Sequence, residues 1–497
     1  MPLKGVQGFS VQMETAIKPQ TATGAQKLPG GNGRPAPGER LFNKNYFLLW
    51  QGQFISRLGN QAYYIAMILW IKNGFEADIA KTLIGVMSMF AGIPAVLLSA
   101  IGGAVADRYS RKMIIVASDV LNAISALLLA VLFFITPGKM NVLLAGVIIV
   151  NTISASLSSF FGPAMSAAIP DIVPKSKVTA ANSMGQLTVQ LAQFFGMGFG
   201  AYLLILLGAP LLVIVNGFAF LFAGFTKMYI KIPQVIPEAK SKISETLRAI
   251  RADIREGVDY IMLNSGLRTL LFVSIFITFF STPITILLPF FISDVLHAPD
   301  TWFGPLLIAF GIGTLIGYLS VGFIKMKGKT RARYMIMFMV LNATGYIVLG
   351  FVRQPLPALG LFFLGGVFSG FIIVNITTLL QLTTPQHIRG RVFGALTTIS
   401  GSIAPVAAGL TGPLASLLGD DQLHLIYIGS GIILVFLCIL ISMRRDFRKM
   451  ISYKTKDEKE DFNGFYYNIR VLEDEETPSQ FDVNDILNKQ ILWRNQL

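Results

Sequence analysis

Apolar residues in this chain neither alternate nor form stripes; they run on. The stretches 82–106, 113–136 and 356–380 are almost unbroken hydrophobic sequence. Each is long enough, as a helix, to cross about 30 Å of hydrocarbon. Lipid offers no partner to a free backbone N–H or C=O, so open strands are excluded and such runs must be helical. The pattern predicts spans near 45–71, 82–106, 113–136, 141–166, 178–207 and 210–230. After a polar interval it predicts six more, near 267–292, 303–325, 333–352, 356–380, 390–417 and 423–443.

The polar interval 232–264 has its own rhythm. Ile243, Leu247, Ile250, Ile254, Val258 and Ile261 recur at steps of three and four, with Arg248, Arg251, Asp253, Arg255 and Glu256 mostly between them. That is an amphipathic helix, lying on the membrane surface or packed beneath the bundles. Residues 1–40 are rich in Gly, Pro, Gln and Thr and cannot bury a core. The segment 452–497 carries acidic runs such as Glu473 to Glu476 and reads as a solvated tail, with a short helix near 483–493. The expected organisation is therefore a disordered segment 1–40, a bundle 41–231, a linker 232–264, a second bundle 265–451 and a tail 452–497.

Composition agrees. Of 497 residues, 53% are hydrophobic and 14% charged, too few charges to cover a soluble surface of this size. The net charge of +14 is not a nucleic-acid stripe, because the basic residues cluster between apolar runs. Arg108, Arg111, Lys112, Lys175, Lys177, Lys325, Lys327, Lys329, Arg331, Arg333, Arg389, Arg391, Arg444 and Arg445 all fall on one side. The other side holds little beyond Lys72, Lys81, Lys139 and Arg353. The positive-inside rule then puts both termini in the cytoplasm. No cleavable signal peptide is evident. The single cysteine, Cys438, precludes an intrachain disulfide.

The two halves echo each other: Pro174 to Asn182 opens the fifth span as Pro385 to Phe393 opens the eleventh. Such repetition marks transporters built from related six-helix halves. The run Gly103-Ala-Val-Ala-Asp107-Arg108-Tyr-Ser-Arg111-Lys112 resembles the signature between helices 2 and 3 of the major facilitator superfamily. Three further segments resemble its branch of bacterial macrolide-efflux and siderophore-export proteins. They are Phe161 to Pro170 with Ala181-Asn182, Asp253 to Gly257 with Gly266-Leu267-Arg268, and Arg389-Gly390-Arg391-Val-Phe393. The resemblance spans about residues 41–445. It implies an all-α integral membrane fold of twelve helices in two six-helix bundles with pseudo-two-fold symmetry, placed in a bacterial inner membrane. It also implies alternating access, export, and a monomer exchanging a small-molecule substrate for protons.

Candidate residues follow. Gly103, Asp107, Arg108, Arg111 and Lys112, with Arg389, Gly390 and Arg391, read as a cytoplasmic gate, Gly103 permitting close helix approach. Arg57 lies deep in the first span, where an unpartnered cation costs several kcal/mol, about 3 on insertion scales. It would hold an anionic substrate group, pair with Asp119, or snorkel to the interface. Gln53, Arg57, Asn60 and Gln61 share one helical face, and Asn151, Gln186, Gln190 and Asn375 are further cavity candidates. Relatives often carry Asp where this chain has Asn60, and an amide does not titrate. Asp119 and Asp294 are left as proton-coupling candidates.

No phosphate-cradling loop, metal-ligand cluster or nucleophile–base pair is present in the sequence, so neither a cofactor nor enzyme activity is expected. A lipid or lysophospholipid flippase, or a non-transporting sensor or scaffold, remain alternatives to an exporter.

Overall fold

The computed structural model describes residues 41–234, 243–323, 328–419 and 422–452. The expectations for 1–40 and for a helix near 483–493 lie outside the described residues. What is described is entirely helical. α1 is Lys44–Gly74, α2 Ala77–Arg108, α3 Arg111–Ile135, α4 Met140–Ile172 and α5 Val178–Met228. The amphipathic α6 is Ile243–Leu263, followed by α7 at Ser265–Ile286 and the single turn α8 at Leu288–Phe290. Then come α9 at Phe303–Phe323, α10 at Gly328–Phe351, α11 at Pro355–Thr383, α12 at Gln386–Leu418, α13 at Leu423–Met443 and the short α14 at Arg445–Ile451.

Among the described residues, ten helices are long and apolar enough to cross a membrane. The sequence pattern placed twelve spans, and the two counts differ at α5 and α1. α5 runs for 51 residues but breaks at Gly208, whose φ of 73° lies in the left-handed region. Glycine adopts that region without a Cβ penalty, so the helix kinks sharply there with no intervening loop. α1 is the second case: Gln51, Gln53, Arg57, Asn60 and Gln61 dilute its apolar character.

The seventh predicted span, 267–292, is also irregular. α7 stops at Ile286, and a π turn follows α8 at Phe291–Val295. Pro289 has no N–H to continue the ladder.

Helix packing follows chain order in two halves. In the first, α1 packs on α5, α2 on α4 and α3 on α5; in the second, α9 packs on α11, α10 on α13 and α7 on α12 and α13. The halves meet along two seams, α2 with α12 and α5 with α9. Glycines set the approach. A Cβ on Gly85 would lie 2.4 Å from the Ala408 carbonyl oxygen, and one on Gly304 would lie 2.0 Å from that of Gly198. Lipid-facing helices attract mainly by contact, so small residues let backbones close in.

The buried apolar core is divided unevenly. At the end away from the termini, one continuous cluster joins both halves, including Ile65, Met67, Ile84, Val213, Phe290, Phe291, Ala408 and Tyr427. At the end carrying Lys44 and Arg445 the cores are separate. One, with Tyr46, Leu49, Ile115 and Ile169, belongs to the first half. The other, with Ile261, Leu271, Met335, Val392 and Phe447, belongs to the second. Among the described residues, apolar packing between the halves is thus continuous at the far end, the sealed end, and divided at the terminal end, the parted end.

Gly365 and Gly366 in α11 offer a paired test. A Cβ on Gly366 would meet the Phe310 carbonyl oxygen at 2.1 Å, whereas one on Gly365 meets nothing within 4 Å. Gly366→Ala is expected to destabilise by about 1–3 kcal/mol as an overpacked contact. Gly365→Ala is expected to be neutral or to gain up to about 1 kcal/mol of helix propensity. Thermal melts followed by size-exclusion chromatography would separate the two.

Candidate functional site

Just below the far-end seal, a cavity of about 560 Å³ lies between the halves. α1 contributes Tyr64, α2 Ser88 and Ser99, α7 Thr282, and α12 Thr397, Thr398 and Pro405. The Tyr64 hydroxyl and Ser88 Oγ are 3.1 Å apart. Its wall is otherwise small and apolar, from Ala91, Gly92, Ala95 and Gly401. A few hydroxyls on a mostly apolar surface suit a small amphipathic ligand.

A buried charge cluster sits in the first half. Lys227 Nζ in α5 donates to Asp119 Oδ2 in α3 at 2.7 Å, and both side chains are almost fully buried. The ring of Phe161 from α4 covers the ammonium at 4.7 Å. Arg57 of α1 lies close enough to feel both charges. With its amide oxygen turned toward Arg57, Gln53 accepts from Nη2 at 3.1 Å and Nε at 3.0 Å. Of the alternatives for Arg57, a pair with Asp119 is therefore corrected: Lys227 takes the carboxylate, and Arg57 is held by Gln53. Sequence reasoning missed Lys227 because a lysine in the last turn of a span reads as an interfacial charge whose stem snorkels outward. Here the stem turns inward, and Gly52 makes the room. A Cβ there would stand 3.3 Å from Lys227 Cε.

The gate residues divide. Asp107 is exposed at the end of α2. Arg111 instead reaches α4, donating to Asp171 Oδ2 at 2.5 Å and to the Ala167 carbonyl at 3.0 Å. Lys112 is half-buried beside it, and Arg108 is engaged as well. Gly103 is not the close-approach residue: a Cβ there meets nothing within 4 Å, whereas one on Gly102 would collide with the Ser159 carbonyl oxygen at 2.0 Å. The helical period turns Gly102 toward α4 and its neighbour away.

In the second half, Arg389 donates to the Thr384 carbonyl within its own turn. Arg391 clasps α6, with Nη2 3.0 Å from Asp253 and Nη1 2.6 Å from Glu256. Gly257 allows the contact, since its Cβ would fall 2.6 Å from the Arg391 carbonyl oxygen. Gly390 has open space where a Cβ would be.

The remaining candidates scatter. Asn60 and Gln61 are half-buried, and Gln61 packs on Gly196 of α5. Gln190 reaches across the α5–α9 seam to the Tyr318 hydroxyl at 3.5 Å, while Gln186 is exposed. Asn151 and Asn375 are buried and donate to carbonyls of their own helices, Val147 and Phe371. Asp294 lies in the π turn at the far end, well away from Asp119.

Two lysines at the far end depart from the loop reading. Lys72 pairs with Asp300, which also accepts from Asn73 at 3.1 Å; this ties α1 to the turn before α9. Lys81 is fully buried, 3.2 Å from Asp78 and over the Phe290 ring. Among the described residues no group of three or more His, Cys, Asp or Glu comes together as a metal site.

Removing one member of the Lys227–Asp119 pair leaves an uncompensated buried charge. Lys227→Met is expected to cost about 3–5 kcal/mol, whereas Lys227→Met with Asp119→Leu should recover most of that. Yield and melting temperature of the single and double variants measure the difference.

Comparison with known proteins gives this geometry a setting. The Major Facilitator Superfamily model matches residues 49–409. The chain is 28% identical over 346 residues to the "Multidrug efflux pump Tap" of Mycolicibacterium fortuitum, covering 67% of this chain and 81% of the relative. It is 22% identical to "Macrolide efflux protein A" of Streptococcus pyogenes, covering 82% and 97%. Among solved structures, a bacterial homologue of the iron transporter ferroportin in an inward-facing state aligns with a TM-score of 0.62 at 14% identity, covering 80% of this chain and 98% of that one. A D-xylose-proton symporter aligns at 0.59 and 15% identity, covering 82% and 99%. With a family model spanning most of its length, the chain belongs to the Major Facilitator Superfamily and is a secondary transporter of small solutes.

Proposed function

We propose that this transporter exports small amphipathic molecules, drug- or siderophore-like, by alternating access between two six-helix halves. The observation that carries the reading is the divided core: continuous at one end, separate at the other, with a hydroxyl-lined cavity between. Counting the two arms of α5 separately and adding α1 gives twelve crossings, with halves at 41–231 and 265–451. The basic residues then make the parted end cytoplasmic. In this arrangement the cavity would face the cytoplasm, as loading an exporter requires. The names of two relatives, a multidrug efflux pump and a macrolide efflux protein, support the outward direction and a drug-like cargo.

The gate follows from the same geometry. With the cytoplasmic end parted, Asp107 is exposed and Arg111 is occupied by Asp171. Closing that end would bring Asp107 to a helix N-terminus or a cation of the second half, which would favour the outward state. Arg57 gives one reason to keep a second reading, a flippase for lipids with anionic head groups. Its half-buried guanidinium stands in the first half with its nearest carboxylate already paired.

Cells expressing the chain are expected to accumulate less erythromycin than cells without it, and collapsing the proton gradient should abolish the difference. Equal accumulation would remove the exporter reading; preferential movement of a labelled lysophospholipid would install the flippase. Asp107→Asn is expected to cut efflux by about tenfold or more with normal yield, since the interaction it removes belongs to the gate and not the core. Thr397→Cys should react with a membrane-impermeant thiol reagent applied to inside-out vesicles and resist it in right-side-out ones.

A further inference from the structure

The charge cluster of the first half says more than that a structural ion pair exists there. Resting on proton exchange as the driving force of the proposed export, we infer that the ammonium of Lys227, and not a carboxylate, is the group that gives up and regains the exchanged proton. Lys227 of α5 and Asp119 of α3 are in direct contact at 2.7 Å, and Arg57 of α1, held by the neutral Gln53, is near enough to interact with both. Among the described residues, α4 places the Phe161 ring over the ammonium. As built, the cluster holds two cations and one anion.

Each route of proton exchange leaves a different residue of charge. Protonating Asp119 removes the one anion and leaves two buried cations facing each other, the state that low dielectric penalises most. Deprotonating Lys227 leaves Arg57 and Asp119, one of each sign. Arginine does not give up its proton in proteins, so the lysine is the member that titrates toward neutrality.

Its surroundings fit. Among the described residues the ammonium, which has three donors, makes one hydrogen bond, to Asp119. The Phe161 ring stands over it at 4.7 Å, and the side chain is packed closely enough against α1 that a Cβ on Gly52 would lie 3.3 Å from its Cε. Buried lysines with few donors satisfied lose their charge readily. In the step, one N–H bond of the ammonium breaks, its electron pair stays on Nζ as the amine lone pair, and the proton passes to a water admitted when this buried cluster opens to the cytoplasmic side. Asp119 stays ionised, balanced by Arg57. In the opposite state a proton from water on the other side returns to the lone pair.

Two measurements on the full-length protein test this. In proteoliposomes with erythromycin as the probe, Lys227→Arg keeps the cation but cannot deprotonate. Erythromycin counterflow should stay within about twofold of wild type, while accumulation driven by an imposed pH gradient falls at least about tenfold. Gradient-driven accumulation that survives in Lys227→Arg would overturn the assignment. The second measurement needs no substrate. Infrared difference titration of the purified protein should show no protonated-carboxyl band that disappears in Asp119→Asn, from mildly acidic to mildly basic pH. Such a band would give the proton to Asp119 and overturn the proposal even if Lys227→Arg misfolds. Absence of counterflow in the wild type would count against macrolide transport alone and leave the infrared result to decide Lys227.

Discussion

Hydrocarbon removes the force that assembles most soluble proteins, and this fold rests on what replaces it. Apolar helices gain nothing by leaving lipid for one another, so they must hold by close contact. Glycine supplies that contact at many of the helix interfaces. Gly200 lies against α1, Gly217 and Gly224 against α3, Gly313 and Gly317 against α11, and Gly431 against α10. The two seams between the halves are built the same way, at Gly85, Gly92 and Gly412 on one side and Gly198, Gly304 and Gly311 on the other. Surfaces in which glycines receive a backbone carbonyl or a single neighbouring side chain, as at Gly85 and Gly92, can slide and separate. The joint that holds the molecule together is also the one along which it would open.

Polar groups are the exceptions in such a fold, and they sit in two places. Ordinary ones satisfy themselves within their own helix: Asn122, Asn151 and Asn375, and most of the serines and threonines, donate to carbonyls three or four residues back. The charged ones cannot. Lys227 and Asp119 must find each other across two helices, and the cost of burying them makes a purely structural role a poor bargain, since a well-packed apolar pair would serve stability as well or better.

Much of the architecture was legible in the sequence because the membrane makes one demand, length of apolar run, and the chain meets it openly. The break in α5 fell where the pattern left a gap, at Gly208-Ala-Pro210. The amphipathic linker was visible in its period, and Arg391 explains why Asp253 and Glu256 stand one turn apart. What escaped was direction. Periodicity says that Lys227 lies at a span's end but not which way its stem turns. It says that two glycines adjoin at 102 and 103 but not which one faces α4. It assigned Lys81 to a loop, although its neighbours fold over it. Partner choice among buried charges depends on helix rotation and depth together, and neither is written in a one-dimensional pattern.

The bridge from Lys72 and Asn73 to Asp300 lies at the far end, with only 9% of the Lys72 side chain and 20% of the Asp300 side chain exposed. Exposed charges lose their attraction beyond a Debye length, about 8 Å at physiological ionic strength, whereas a pair this well covered and in direct contact is screened much less. The clasp would therefore hold in fresh and saline media alike, and opening that face would have to pull it apart.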